Sequence, residues 1–173
     1  MMTMDPAFAP RCVVYLAGPD VFFPDAGERA EKARNVARRL GIQVLAPVDG
    51  GASPPIEDEP AARRIFMNNV ALIDRADAVV ANITPFRGPS ADVGTVWEIG
   101  YACGRGMPVF AYSSDLSEYR QRVEPDGLRI ENFGGVDNLM ITQSIAALRP
   151  SLEDALSAVA RHYASAPPHG AHR

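Results

Sequence analysis

The sequence is poor in the residues on which many catalytic and metal sites depend. It has two cysteines, Cys12 and Cys103, which form no CxxC pair, and its three histidines all lie at or beyond position 162. These counts favour buried thiols over a disulfide and argue against a histidine triad or a histidine-rich metal site, so no metal site is predicted. Any acid–base chemistry therefore has to use carboxylates, tyrosine or an atom of the substrate.

The chain also lacks the basic clusters and long apolar runs that would indicate a nucleic-acid or membrane partner. Lys32 is the single lysine among 17 basic residues, the arginines are scattered, and the net charge is −4. No nucleic-acid partner is therefore expected. No apolar run reaches the roughly 18 residues of a membrane span, and from the pattern of the first residues we expect no signal peptide. We expect a cytoplasmic protein.

What remains is the composition of one globular domain. The 173 residues are 47% hydrophobic and 22% charged, which is ordinary for a folded protein of this length. The ends are rich in proline, glycine and small residues. We therefore predict one domain over residues 11–163, with flexible termini at 1–10 and 164–173.

Short apolar segments alternate with helical patterns along the chain. Strands are predicted at 12–17, 42–46, 77–82 and 107–112, and helices at 26–40, 60–75, 95–104 and 151–163. This alternation predicts an α/β domain of βαβ units with a parallel sheet, and the less regular stretch 113–137 holds a short helix near 116–123. Ligands bind at the carboxyl ends of such strands. The informative loops are then the turn at Gly18, the loop 47–59 and the loop 83–94.

Two carboxylates in and after the third loop could perform acid–base and nucleophilic chemistry. Asp92 precedes Glu98 by six residues, and Gly94 allows a sharp turn between them. In one crevice, one carboxylate can stay ionised as a nucleophile while the other, with a raised pKa, handles a proton. Structural alternatives stay open: Thr95 and Glu98 fit a capping box, Asp92 could bond its own backbone, and Tyr15 could be a core tyrosine.

Three segments resemble the nucleoside 2-deoxyribosyltransferase family. They are Tyr15–Phe22 (YLAGPDVF), Ala76–Ala102 (ADAVVANITPFRGPSADVGTVWEIGYA) and Asp137–Met140 (DNLM). The resemblance implies a single-domain flavodoxin-like Rossmannoid three-layer sandwich. It also implies a cofactor-free enzyme of nucleoside salvage that moves a 2-deoxyribosyl group from a deoxynucleoside to a free nucleobase.

The resemblance also assigns roles to individual residues. It implies that Glu98 attacks C1′ of the sugar to form a covalent glycosyl ester with net retention. Asp92 would assist protonation of the departing base, and Tyr15 would hydrogen-bond Glu98. Asn138 would reach the 5′-hydroxyl in a neighbouring subunit's site, with Met140 nearby, so a homo-oligomer of at least two subunits is expected. The alternative for Asn138 is a cap on a helix that begins at Leu139.

Further candidates for substrate binding lie in the same segments and in the preceding helix. Gly18, Asp20 and Phe22 follow the first strand, although a simple turn role fits Asp20 and Phe22 equally well. Asn69 occupies a position where some family members carry Asp. Because an amide cannot exchange a proton as a carboxyl group can, Asn69 would orient the sugar or Glu98, or be only a helix-surface amide. Gly94 completes the substrate-binding set.

Two other functions fit the same residues. A deoxynucleoside 5′-monophosphate N-glycosidase would use Glu98 with water as acceptor, and it would need a phosphate site for which the Gly18 turn offers no Ser/Arg cluster. A non-catalytic nucleoside-binding module would release no base and would have no need of a nucleophile. The sequence does not identify the bases, because the loop 47–59 carries no readable base-contacting pattern.

Overall fold

A parallel five-stranded sheet forms the centre of the computed structural model, which describes residues 9–50 and 59–164. Adjacent strands are all parallel and lie in the order β2-β1-β3-β4-β5. This is the strand order of flavodoxin-like sheets. The strands are β1 (Cys12–Ala17), β2 (Ile42–Leu45), β3 (Ala78–Asn82), β4 (Val109–Tyr112) and β5 (Ala147–Arg149).

Helices cover both faces of this sheet and complete a three-layer α/β sandwich, which confirms the predicted fold class. They are α1 (Ala26–Arg39), α2 (Glu59–Asp74), α3 (Val93–Gly104), α4 (Tyr119–Arg122), α5 (Leu139–Thr142) and α6 (Leu152–Ala164), with 3-10 turns at Pro19–Phe22 and Pro47–Gly50. None of the helices in the described part of the chain is long and apolar enough to cross a membrane.

Two apolar clusters, one on each face of the sheet, form the core. Val14 of β1 packs with residues of α1 and α6, including Val36 and Leu156. Tyr15, the next residue, points to the other face, where it packs with residues of α2 and α3. Successive side chains of a strand point to opposite faces, so one strand supplies both clusters. This alternation places the Tyr15 side chain on the α2/α3 face.

The two central strands lead into helices on opposite faces. The chain leaves β1 towards α1, and it leaves β3 towards α3. Neighbouring strands whose connections diverge in this way leave a crevice between their loops at the carboxyl edge. The Gly18 turn and the loop 83–92 therefore border one crevice, as the sequence predicts.

Several boundaries differ from the prediction. The sequence predicted four strands, and β5 was missed because its three residues, ALR, have no β-branched run; pairing with β4 forms it. Helix α3 begins at Val93, two residues before the predicted start. Helix α6 continues to Ala164. Apart from residues 9, 10 and 164, the termini that were predicted to be flexible lie outside the described residues. Most of the loop 47–59 also lies outside them.

Candidate active site

A buried hydrogen bond joins the first strand to the third helix. The Tyr15 hydroxyl donates to Glu98 Oε1 at 2.6 Å. Tyr15 is fully buried on β1, where it pairs in register with Leu45 and Val79, so its ring is fixed by the sheet. A fixed donor gives the Glu98 carboxylate one preferred orientation. The contact is the one that the family resemblance implies.

Asp92 is the N-cap of α3. Its Oδ2 accepts hydrogen bonds from the Thr95 backbone N–H at 3.1 Å and from Thr95 Oγ1 at 3.3 Å. The predicted capping box, with Thr95 as cap and Glu98 reaching back to it, is therefore wrong. The helix begins one turn earlier than that motif requires, because Asp92 is a strong N-cap residue. Glu98 lies in the second turn and is free of any capping role.

Burial makes Glu98 harder to ionise than an ordinary glutamate. Its pKa is raised to about 7: desolvation is the main cause, the Tyr15 hydrogen bond opposes the rise, and the charge of Asp92 adds to it. The sequence-based interpretation kept the nucleophile ionised and gave the raised pKa to the proton-handling partner. In the structure the raised pKa belongs to Glu98 itself. Glu98 is therefore partly protonated near neutral pH.

This raised pKa predicts that Glu98 destabilises the fold at high pH. Between the unfolded value of 4.5 and the folded value of about 7 the folded state binds more protons, so stability falls as pH rises through this window. We expect the Glu98→Gln variant to match wild type below the window and to exceed it by up to about 3 kcal/mol above it. Urea unfolding across this pH range measures the difference. The exposed Glu31, changed to Gln, is the control. A constant difference at all pH values would contradict the assignment.

Asn69 contributes a buried acceptor without a partner. Its Oδ1 accepts no hydrogen bond among the described residues. One turn earlier on α2, Phe66 packs edge-on against Trp97 with ring centroids 5.2 Å apart; one turn later, Ile73 joins the cluster that contains Tyr15. Asn69 therefore lies on the part of α2 that faces the Tyr15–Glu98 pair. An unpaired buried acceptor is costly, which makes this oxygen available to a ligand donor.

The turn after β1 is held close to β3 by polar contacts. Asp20 Oδ2 accepts from Asn82 Nδ2 at 2.9 Å, and Arg29 donates to Asp20 Oδ1 at 3.3 Å. A Cβ on Gly18 would stand 2.8 Å from the Asn82 Cβ, so only glycine fits there. Asn82 also accepts from the Thr84 N–H, and sequence reasoning missed it. Its position at the carboxyl end of a buried strand was the available signal.

Phe22 belongs to an aromatic cluster at the mouth of the crevice. Its ring stacks on Phe86 at 5.5 Å, and the Arg87 guanidinium lies within 5.0 Å of both ring centroids. Arg87 has φ 54°, the only positive φ of a non-glycine residue in the described ranges. Phe22 is half exposed. The cluster connects the Gly18 turn to the loop 83–92. Its aromatic rings present flat apolar surfaces beside the crevice.

Asn138 caps the short helix α5, as the alternative interpretation predicted. Its Oδ1 accepts from the Met140 N–H at 2.9 Å, and its Nδ2 donates to Glu131 Oε1 at 2.7 Å. Each of these atoms retains capacity for one more hydrogen bond. Met140 is 73% exposed. In the single chain, Met140 is therefore exposed, whereas Asn138 is partly buried.

A cavity of about 760 Å³ lies on the other face of the sheet. Leu16, Val80 and Tyr112 form its floor, and residues of α1 and α6 form its walls. Gly18 and Asp20 border it, but Tyr15, Asp92 and Glu98 do not. The candidate reactive centre is the Tyr15–Glu98 pair, where a buried donor meets a carboxylate on which the charge of Asp92 also acts. Within residues 9–50 and 59–164, no group of three or more His, Cys, Asp or Glu side chains could hold a metal ion.

A comparison with protein-family models shows which family the chain belongs to. Residues 14–140 match the model described as nucleoside 2-deoxyribosyltransferase. The chain belongs to the nucleoside 2-deoxyribosyltransferase family. The matched range contains Tyr15, Asp92 and Glu98 and also includes Asn138 and Met140, so every predicted site residue of this family member lies inside it.

Solved structures of two 2-deoxyribosyltransferases share the fold. The enzyme from Leishmania mexicana is 32% identical with a TM-score of 0.73, and the match covers 87% of this chain and 97% of that one. The enzyme from Bacillus psychrosaccharolyticus is 28% identical with a TM-score of 0.57, over 82% of this chain and 88% of that one. These likenesses extend over almost the whole described domain.

Two further relatives carry less functional information. A conserved Enterococcus faecalis V583 protein has a TM-score of 0.61 at 22% identity, covering 87% of this chain and 98% of that one, and shows the fold alone. An uncharacterized Schizosaccharomyces pombe protein is 33% identical over 113 residues, which are 64% of this chain and 54% of that protein. The chain thus spans about half the length of this curated relative.

Proposed function

We propose that this family member transfers a 2-deoxyribosyl group from a deoxynucleoside to a free nucleobase through a covalent ester on Glu98. The observation that carries the proposal is the 2.6 Å hydrogen bond from Tyr15 to Glu98 Oε1. It orients a carboxylate that no cap or cation occupies in the described chain. A desolvated, oriented carboxylate is suited to attack an electron-poor sugar carbon.

The proposed first half-reaction exchanges one bond at C1′ for another. Glu98 attacks C1′ as the bond to the base nitrogen breaks, and that electron pair leaves with the base. A proton delivered to a ring nitrogen neutralises the base as it departs. Asp92 is the proposed donor, in the state in which the one proton of the Asp92–Glu98 pair lies on Asp92 and Glu98 is ionised. The oxocarbenium-like transition state is stabilised by the Glu98 carboxylate. The products are a glycosyl ester and a free base.

The second half-reaction runs the same steps backwards with a different base. The incoming ring nitrogen attacks C1′, the ester bond to Glu98 breaks, and the proton of that nitrogen returns to Asp92. Two displacements at one carbon give net retention. No cofactor takes part in either step. The Oδ1 of Asn69, which has no partner among the described residues, is proposed to accept a hydrogen bond from the sugar or from protonated Glu98. This chemistry suits nucleoside salvage in the cytoplasm.

We further propose that the active enzyme is a homo-oligomer in which Asn138 completes a neighbouring site. Exposed apolar side chains support this. Val93 is 85% exposed, and Phe66, Met67 and Trp97 on α2 and α3 are each about half exposed. An apolar surface of this kind marks an interaction site. Met140 is exposed next to Asn138, so both polar and apolar groups are available to a second subunit.

Subunit complementation tests the shared site. Glu98→Ala and Asn138→Ala subunits are each expected to be inactive in deoxyribosyl transfer. Mixed under conditions that allow subunit exchange, they should regain part of the activity, because some sites then combine Glu98 of one chain with Asn138 of another. Activity that stays at the level of the separate mutants would mean that Asn138 serves only its own chain as a helix cap.

The exchange assay tests the proposed function and separates it from its rivals. The protein is incubated with a deoxynucleoside and a different free base, and both bases are followed chromatographically. Appearance of the new deoxynucleoside supports transfer. In a parallel incubation with a deoxynucleoside 5′-monophosphate in place of the deoxynucleoside, base release without exchange would instead indicate the N-glycosidase. The Asp20 carboxylate beside Gly18 disfavours a phosphate at that turn. Binding without base release would indicate the non-catalytic module.

A further inference from the structure

The loop that carries Asp92 is fastened by a buried carboxylate from a distant part of the chain. Asp137 is 2% exposed. It accepts a hydrogen bond from Ser90 Oγ, and its Oδ2 accepts from the Ala91 N–H at 2.8 Å. Its Oδ1 also accepts from the Asn138 N–H at 2.8 Å. One carboxylate thus binds the two residues that immediately precede Asp92, 46 and 47 positions away in sequence.

A second side chain fastens the same loop one residue earlier. Arg122 Nε donates to the Pro89 carbonyl at 3.0 Å, and its Nη2 donates to the carbonyl of Val136. Its Nη1 donates to the Ser117 carbonyl at 2.6 Å. Residues 89–91 are therefore held between Arg122 and Asp137. These contacts restrain the loop, whereas an exposed connection is usually mobile.

We propose that Asp137 is a positioning residue for the transfer reaction: it fixes the loop 89–91 so that the carboxylate of Asp92 stays beside Glu98. The inference rests on the proposed function. Charge-assisted hydrogen bonds donated to a buried carboxylate are stronger than neutral ones, and a site displaced by as little as about 1 Å can lose about 100-fold in rate. Asp137 is buried and acts on the reaction through Asp92.

The proposal has a consequence that ordinary destabilisation lacks. The titratable groups that act on Glu98 among the described residues are Tyr15 from β1, whose hydrogen bond lowers the pKa of Glu98, and Asp92 at the start of α3, whose charge raises it. If the loop is released, Asp92 moves and its contribution weakens. The pKa of Glu98 then falls, and the acid limb of the activity profile moves to lower pH. Partial unfolding alone would lower the rate and leave that limb in place.

Three variants test the proposal. Asp137→Asn removes the charge, Ser90→Ala removes one contact without a charge change, and Asp126→Asn removes a charge in the exposed loop near Leu128 as the control. Asp137→Asn should lower kcat by about 10- to 100-fold, with KM changed much less, and move the acid limb to lower pH. Ser90→Ala should do the same to a smaller extent. The control should behave as wild type.

The titration of Glu98 can also be followed without any reaction. Trp97 is the single tryptophan and precedes Glu98. Its fluorescence should change as Glu98 titrates, and the Glu98→Gln variant should abolish that change. A lowered midpoint in Asp137→Asn and Ser90→Ala supports the proposal even if wild type transfers no sugar. The proposal is overturned if folded Ser90→Ala keeps the wild-type titration midpoint and the wild-type acid limb, and Asp137→Asn either keeps both as well or simply fails to fold.

Discussion

The Glu98→Gln variant should lose deoxyribosyl transfer by about 10⁴-fold or more, because removal of a nucleophile leaves only binding and electrostatic contributions. Gln keeps the size of the side chain and can still accept the hydrogen bond from Tyr15, so the fold and the position of the side chain are preserved. Its amide oxygen cannot form the ester. Steady-state base exchange, measured beside binding of the deoxynucleoside, separates lost chemistry from lost affinity.

Glu31→Gln is the matched control for this variant. Glu31 is an exposed helical glutamate paired with Arg34 on α1, which covers the other face of the sheet. Its replacement should leave transfer unchanged. If Glu98→Gln retained near-normal transfer, Glu98 would not be the nucleophile, and the Tyr15–Glu98 pair would be a structural contact only.

The second large effect is expected at Asp92. The Asp92→Asn variant should lose about 10²- to 10⁴-fold in kcat, the usual contribution of a general acid, with a much smaller change in KM. Asn is as good an N-cap as Asp, so α3 should remain intact and the loss should belong to the chemistry. The loss should shrink for bases that leave easily without protonation. Base release from a series of deoxynucleosides with different leaving groups measures this dependence.

Asp154→Asn controls for removal of a charge at a helix N-terminus. Asp154 accepts a hydrogen bond from Ser151 Oγ at the start of α6. Helix α6 packs on the face of the sheet opposite to Tyr15. It should transfer at the wild-type rate. Equal losses of kcat for all leaving groups in Asp92→Asn would count against a proton-donating role and would leave Asp92 as an electrostatic neighbour of Glu98.

The sequence was sufficient for four of the five strands and for the residues of the family motifs. Alternating apolar segments and the stops at Gly18 and Gly41 predicted β1, α1 and β2 to within one residue. Such signals are local, so they can be read without the fold. β5 could not be predicted, because its three residues form a strand only through pairing with β4.

The parts of the site that escaped prediction depend on long-range contacts. The capping box at Thr95 and Glu98 had the right local pattern, but Asp92 lies three residues earlier and is the better cap in the folded chain. The raised pKa of Glu98 arises from burial that no local pattern records. Asp137 was visible within a motif, yet its bonds to Ser90 and Ala91 exist only once the chain is folded.

The central claim, a covalent deoxyribosyl ester on Glu98, is tested most directly by mass spectrometry of the protein after rapid mixing with a deoxynucleoside in the absence of an acceptor base. The account predicts that wild type gains the mass of one 2-deoxyribosyl group, that the gain maps to the peptide containing Glu98, and that an added free base removes it. Glu98→Gln should show no gain. Release of base by wild type with no adduct at Glu98, under conditions that trap an ester, would contradict the account.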